Sequence, residues 1–156
     1  MVTRGDACLD VLTQGEGLTI VLLPSLGRGA ADFDPIAGDL AAAGFRALRP
    51  QPRGIGQSTG PWQGVTLEDL AADIAAVIEH DNNGPAFVVG HAFGNRVARM
   101  LATARPELVR AVSLVAANVG HKPSPPDVRA AIRMSANTSA PADEDRKSTR
   151  LNSSHT

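Results

Sequence analysis

The chain has 156 residues and a formal net charge of -1, with 15 Lys and Arg against 16 Asp and Glu. That bounds it to one domain at most and leaves no basic excess to suggest nucleic acid or an anionic membrane as partner. A single cysteine, Cys8, excludes an internal disulfide and predicts a reducing compartment.

The first residues, "MVTRGDACLDVLTQGEG", contain no long apolar run, so neither a signal peptide nor a membrane span is expected. The expectation is a soluble, cytoplasmic protein. "LTIVLLP", Leu18 to Pro24, is a short apolar run followed by a glycine-rich turn, as expected of a strand buried on both faces. "DPIAGDLAAAGF" follows with helix signals: Asp34 as N-cap, Pro35 in the first turn, Ile36, Leu40 and Ala43 on one face, and Gly44 at the C-cap. Phe45 to Pro50 reads as a second strand, closed by the turn chemistry of "QPRGIGQSTGP".

Thr66 and Asp69 approximate a capping box ahead of a helix whose Leu67, Leu70, Ala71, Ile74, Val77 and Ile78 share a face. "PAFVVG" is a third buried strand, Asn95 to Arg105 a helix stopped by Pro106, and "LVRAVSLVAA" a fourth strand. Strand and helix alternate throughout, which predicts an α/β fold with a mainly parallel sheet flanked by helices. Beyond Ala117, Pro125 to Met134 can open one more helix. The polar, patternless residues 135–156 have the composition of a disordered tail.

The most specific motif is Gly90-His91-Ala92-Phe93-Gly94, between the third strand and the helix after it. It has the frame G-x-S-x-G with alanine in place of serine. A nucleophile set between strand and helix needs a sharp turn, and glycines on either side permit the close backbone approach this requires. Together with three other segments, this motif resembles the α/β-hydrolase superfamily from Leu9 to Ala117. "VLLPSLGRGAADF" is similar to that family's strand and oxyanion loop. Arg53, Gly54, Gly56 and Ser58 match its R-G-x-G-x-S segment, and "RPELVRAVSLVAA" matches the stretch after the nucleophile helix.

The resemblance implies that Ala92 occupies the nucleophile position and that the backbone N–H groups of Leu26 and Phe93 are the oxyanion donors. Ala92 neither attacks a carbonyl nor is activated by a base, and Pro24 and Ser25 stand where the family has His and Gly. Backbone donors need no particular side chain, so this half of the machinery is expected to survive. Ser25 is the remaining hydroxyl candidate. No local base marks it, and a turn-stabilising role is the preferred reading. His91 is expected to point away from position 92 as a structural residue, Asn95 and Arg96 to brace the turn, and His80 to sit solvated at a helix end; His121 has no assigned role.

"RGIGQSTG" does not read as a nucleotide loop, because Pro61 and Trp62 follow it instead of a helix and no P-loop lysine is present. No cofactor and no metal are expected. The partner class is a small-molecule substrate or ligand.

The family resemblance further implies a cap and two later strands carrying an acid and a histidine. Asp145 to His155, "DRKSTRLNSSH", instead matches codon for codon one reading frame of a common sequencing adapter. The expected organisation is a truncated α/β-hydrolase core with the start of a cap over 1–134 and a disordered tail over 135–156, with 145–155 adapter-derived. The fourth strand would then be left as an apolar edge, predicting poor solubility. The parent is expected to be a small-molecule hydrolase, or a lyase or proton-transfer enzyme driven by a histidine base. A chain without nucleophile, acid or histidine partner is expected to be inactive. The alternative is a non-catalytic protein that binds a small ligand on the same fold, a pseudoenzyme.

Overall fold

The computed structural model describes residues 1–117 together with 126, 127 and 130. The chain divides into two units, Met1–Ala117 and Asn118–Thr156, and the first carries all the named elements. These are β1 (Val2–Arg4), β2 (Ala7–Leu9), β3 (Val11–Gln14), β4 (Leu18–Leu23), α1 (Asp34–Ala42), β5 (Phe45–Pro50), α2 (Leu67–Asp81), β6 (Ala86–His91), α3 (Gly94–Ala104) and β7 (Val109–Val115). Of the helix expected over 125–134, Pro126, Asp127 and Ala130 are helical and exposed. The rest of it, His121 and the tail from 135 lie outside the described residues.

The main sheet runs in the order β3-β5-β4-β6-β7. The pairs β4–β5, β4–β6 and β6–β7 are parallel, and β3 is added antiparallel at one edge. The register sets Val21 beside Leu48 and Leu23 beside Gly90, so the ends of β4 and β6 come level. β4 is central, and every residue after Leu18 is buried. Its alternation divides the core in two. Val21 and Leu23 join Leu48, Val88 and the apolar faces of α2 and α3, while Ile20 and Leu22 pack with Ala47 and with Ala37 of α1.

β4, β5, β6 and α2 match the sequence reading closely, because each carries a strong period or cap. The capping box at α2 is present in both directions: the Asp69 N–H donates to Thr66 Oγ1 at 3.1 Å, and the Thr66 N–H donates to Asp69 Oδ2 at 3.1 Å. The Thr66 N–H and the Thr66 hydroxyl, both donating to Asp69 Oδ2, hold the Asp69 carboxyl below its ordinary value. A depressed folded-state value means that the stabilisation is present above the unfolded value and lost as pH falls through the folded one. Acidification is therefore expected to fray the start of α2 before the core melts. Asp69→Asn should remove that acid-side change in the helical circular dichroism signal.

α1 departs from expectation. Its N-cap is Phe33 rather than Asp34, which is the first helical residue and turns its carboxylate to the buried Arg49. Ala37, not Ile36 or Ala43, faces the sheet, with Leu40 partly buried beside it; Ile36 is 47% exposed. The inward stripe is therefore built on small residues, which lets the helix lie close to β4 and β5. The three strands β1, β2 and β3 were also not anticipated. Each is only three or four residues long, too short to show a period. Among the described residues β7 lies at the sheet edge, with Leu114 and Val115 more than 40% exposed.

Candidate active site

The ends of β4, β5 and β6 converge with the starts of α2 and α3, and the sequence-predicted residues collect there. β6 turns into α3 within two residues. Ala92 makes that turn in the left-handed region, φ +49°, where an L-residue with a Cβ is strained by about 1 kcal/mol. Ala92→Gly is accordingly expected to raise stability by about 1 kcal/mol in urea unfolding; a lower midpoint would show that Ala92 is not strained.

Two glycines make the turn possible through space rather than through dihedral freedom. A Cβ on Gly90 would lie 2.5 Å from the Gly94 carbonyl oxygen, and one on Gly94 would lie 2.4 Å from the Leu23 carbonyl oxygen. The turn is tied to the end of β7. The Val115 carbonyl accepts both the Ala92 N–H at 3.0 Å and Asn95 Nδ2 at 2.9 Å. Asn95 is buried, as its bracing role predicts, and its Oδ1 has no partner among the described residues. Arg96 is exposed and contributes only its backbone to the turn, with its N–H on the Phe93 carbonyl at 2.9 Å. His91 is exposed at the end of β6, and His80 is exposed in the last turn of α2.

Beside the turn lies a pocket with about 60 Å³ of free space, lined by Ser25, Leu26, Phe93, Trp62, Leu70 and Val97 among others. Leu26, Phe93 and Ser25 thus all line the same pocket. Ala92 itself is not among the lining residues. Among the described residues no backbone carbonyl accepts the N–H of Leu26 or of Phe93. Among the described lining residues there is no histidine. Ser25 uses its carbonyl to accept the Arg28 N–H at 3.1 Å, closing the loop after β4.

The pocket lining includes an ion pair whose place in the pocket the sequence did not reveal. Arg53 Nε and Nη2 donate to Asp73 Oδ2 and Oδ1 at 2.7 and 3.0 Å, and both side chains are about 95% or more buried. Arg4 Nη1 adds a further bond to Asp73 Oδ1 at 3.2 Å. The hydrogen bonds it donates to Asp73 hold the Arg53 guanidinium above its ordinary value, against the opposing effect of burial. Ser58, matched by resemblance in the same segment, is also buried. It donates from Oγ to the Gln51 carbonyl and accepts the Asp10 N–H, both at 2.9 Å. The R-G-x-G-x-S stretch therefore fixes the loop after β5 against α2 and against Asp10, between β2 and β3. Trp62 Nε1 caps it by donating to the Arg53 carbonyl.

A family model of the alpha/beta hydrolase fold matches residues 19–146. The chain belongs to the alpha/beta hydrolase fold family. A relative, 2-(acetamidomethylene)succinate hydrolase of Mesorhizobium japonicum, is 32% identical over 111 residues, covering 71% of this chain and 40% of that protein. Among solved structures, Rv0554 of Mycobacterium tuberculosis is 27% identical with a TM-score of 0.73, over 90% of this chain and 52% of that one. The epoxide hydrolase VrEH1 of Vigna radiata is 27% identical with a TM-score of 0.68, over 80% and 42%. The chain spans about two fifths of the length of the curated relatives it matches. As an alpha/beta hydrolase its open parallel sheet puts the pocket at the strands' carboxyl ends, where this kind of sheet holds its ligands.

Among the described residues no helix is long and apolar enough to cross a membrane, and no group of three or more His, Cys, Asp or Glu could hold a metal ion.

Proposed function

We propose that Gly90–Gly94 is a nucleophile elbow without its nucleophile, and that the backbone N–H groups of Leu26 and Phe93 form an oxyanion site. The observation that carries this reading is Ala92 at φ +49°, on a turn that opens α3 beside a pocket containing both donors. The family membership and hydrolase relatives support a parent that acts on a small molecule, by hydrolysis or by proton transfer to a histidine base. No covalent acyl intermediate forms on Ala92, because acyl transfer needs an oxygen, sulfur or nitrogen nucleophile at that point. Two backbone donors alone stabilise an oxyanion without generating one.

For these 156 residues we therefore expect no turnover of p-nitrophenyl butyrate above a heat-treated sample. Activity that survives repurification and is lost on blocking the pocket would overturn the reading. A second reading is a cytoplasmic protein that binds a small ligand without catalysis, since alanine at position 92 is what loss of the nucleophile would leave. The enzyme reading requires a histidine carried over Ala92, whereas the binding reading does not. An Ala92→Ser form of any version that includes such a histidine should gain esterase activity under the first reading only.

A further inference from the structure

We infer that Gln51 is a positioning residue for the Leu26 N–H: its carboxamide ties the far end of the loop after β4 to the loop after β5. This rests on the oxyanion reading above and adds the side chain that sets where one of the two donors stands.

The loop that carries Leu26 leaves β4 at Leu23 and enters a single 3-10 turn, Ala30–Phe33. Packing fixes its near end, since Gly94 lies against the Leu23 and Pro24 carbonyls too closely to admit a Cβ. Gln51 fixes its far end, with Oε1 accepting the Ala30 N–H at 2.9 Å. The first N–H groups of a helical turn need an acceptor from outside it, and Gly29, just before this turn, has no side chain to offer one. The acceptor comes from the exit of β5 instead. Two glycines make room for it. A Cβ on Gly29 would lie 2.9 Å from Gln51 Oε1, and one on Gly56 would lie 3.0 Å from its Nε2. The carboxamide thus packs against both loops, one glycine from each.

A side chain positions a loop only if its own backbone is held, and that of Gln51 is held twice. Its N–H donates to the Asp10 carbonyl at 2.8 Å, and its carbonyl accepts the Ser58 hydroxyl at 2.9 Å. Ser58 Oγ in turn accepts the Asp10 N–H at 2.9 Å, which closes a ring of three residues. The ring gives the serine of R-G-x-G-x-S a consequence at the pocket. It fixes Gln51, and Gln51 fixes the loop of Leu26. Gln51, Leu26 and Phe93 all line that pocket.

The test is ¹⁵N spectroscopy of the full chain with Gln51→Met and Gln51→Glu, reading residual dipolar couplings and amide exchange. Methionine keeps the length and removes the acceptor, whereas glutamate keeps an acceptor oxygen at the same reach. Gln51→Met should change the Leu26 coupling and speed exchange at Ala30 about fivefold, as expected for one lost hydrogen bond. The couplings of Phe93, of Val21 in β4 and of Val88 in β6 should not move. Gln51→Glu should restore the Leu26 coupling, which a merely space-filling role for Gln51 does not require. A Leu26 coupling unchanged in Gln51→Met, or not restored in Gln51→Glu, overturns the inference and leaves the oxyanion reading standing. So does a change that spreads to Val21 and Val88, which would make Gln51 a prop of the sheet. If the Leu26 and Phe93 N–H vectors of the unaltered chain point to opposite sides of the pocket, the oxyanion reading fails and this inference with it.

Discussion

Gly94→Ala is expected to destabilise the protein by about 3 kcal/mol, a large fraction of what a domain of this size has to lose. The added Cβ meets the Leu23 carbonyl oxygen at 2.4 Å, its carbon at 2.9 Å and the Pro24 oxygen at 3.0 Å. All three are backbone atoms of the central strand and its exit, so no side chain can rotate away. The gain of about 1 kcal/mol from replacing glycine by alanine in a helix is outweighed. Relief requires α3 to move off β4, and the same shift carries Leu26 and Phe93 apart. Gly38→Ala in α1 provides the contrast: the nearest atom to its Cβ is Gln14 Nε2 at 3.8 Å, so only the helix gain remains. Urea midpoints should therefore move in opposite directions for the two variants. Equal midpoints for Gly94→Ala and the unchanged chain would mean that β4 and α3 are not in contact through this glycine.

Asp73→Ala carries the second large effect, a loss of about 3–5 kcal/mol. The cost is not the value of the ion pair itself. Arg53 would be left charged, buried and without its two strongest hydrogen bonds, in the lining of the pocket. Replacing both partners by apolar residues should recover much of the loss, because a buried pair is expensive to assemble as well as to break. A double-mutant cycle with Arg53→Met and Asp73→Leu measures this. Additive single losses would show that the two side chains do not act as a unit.

The fold was legible wherever the sequence carried a period or a cap. β4 was visible as an unbroken apolar run because both its faces are covered, and α2 because its capping box and apolar stripe agree. α1 was misread for the opposite reason: Asp34 looks like an N-cap, yet Arg49 competes for its carboxylate, and the buried stripe is made of alanine, which pattern reading undervalues. β1 and β2 pair with each other across a tight turn but are too short to show a period, and β3 takes its pairing from β5, far along the chain.

The same division holds at the site. The turn was readable because Gly90 and Gly94 are demanded by backbone contact, and those demands leave a trace in sequence. The pocket wall was not readable, since Arg53 and Asp73 are twenty residues apart and meet only through the fold. Arg53 is visible in the sequence as part of a motif, but its use, clamping the loop after β5 to α2, depends on Asp73, twenty residues on. Asn95 lies between the two cases. Its place beside the turn suggested bracing, and the shared Val115 carbonyl explains how it does so.

The central claim is that this chain keeps the turn and the donors but not covalent chemistry. It is tested most directly by incubation with a fluorophosphonate ester followed by intact mass and peptide mapping. The account predicts an unchanged mass, because Ala92 offers no nucleophile and no histidine lines the pocket with Ser25 among the described residues. A stoichiometric adduct on Ser25 would contradict it and make the loop after β4 the seat of the chemistry.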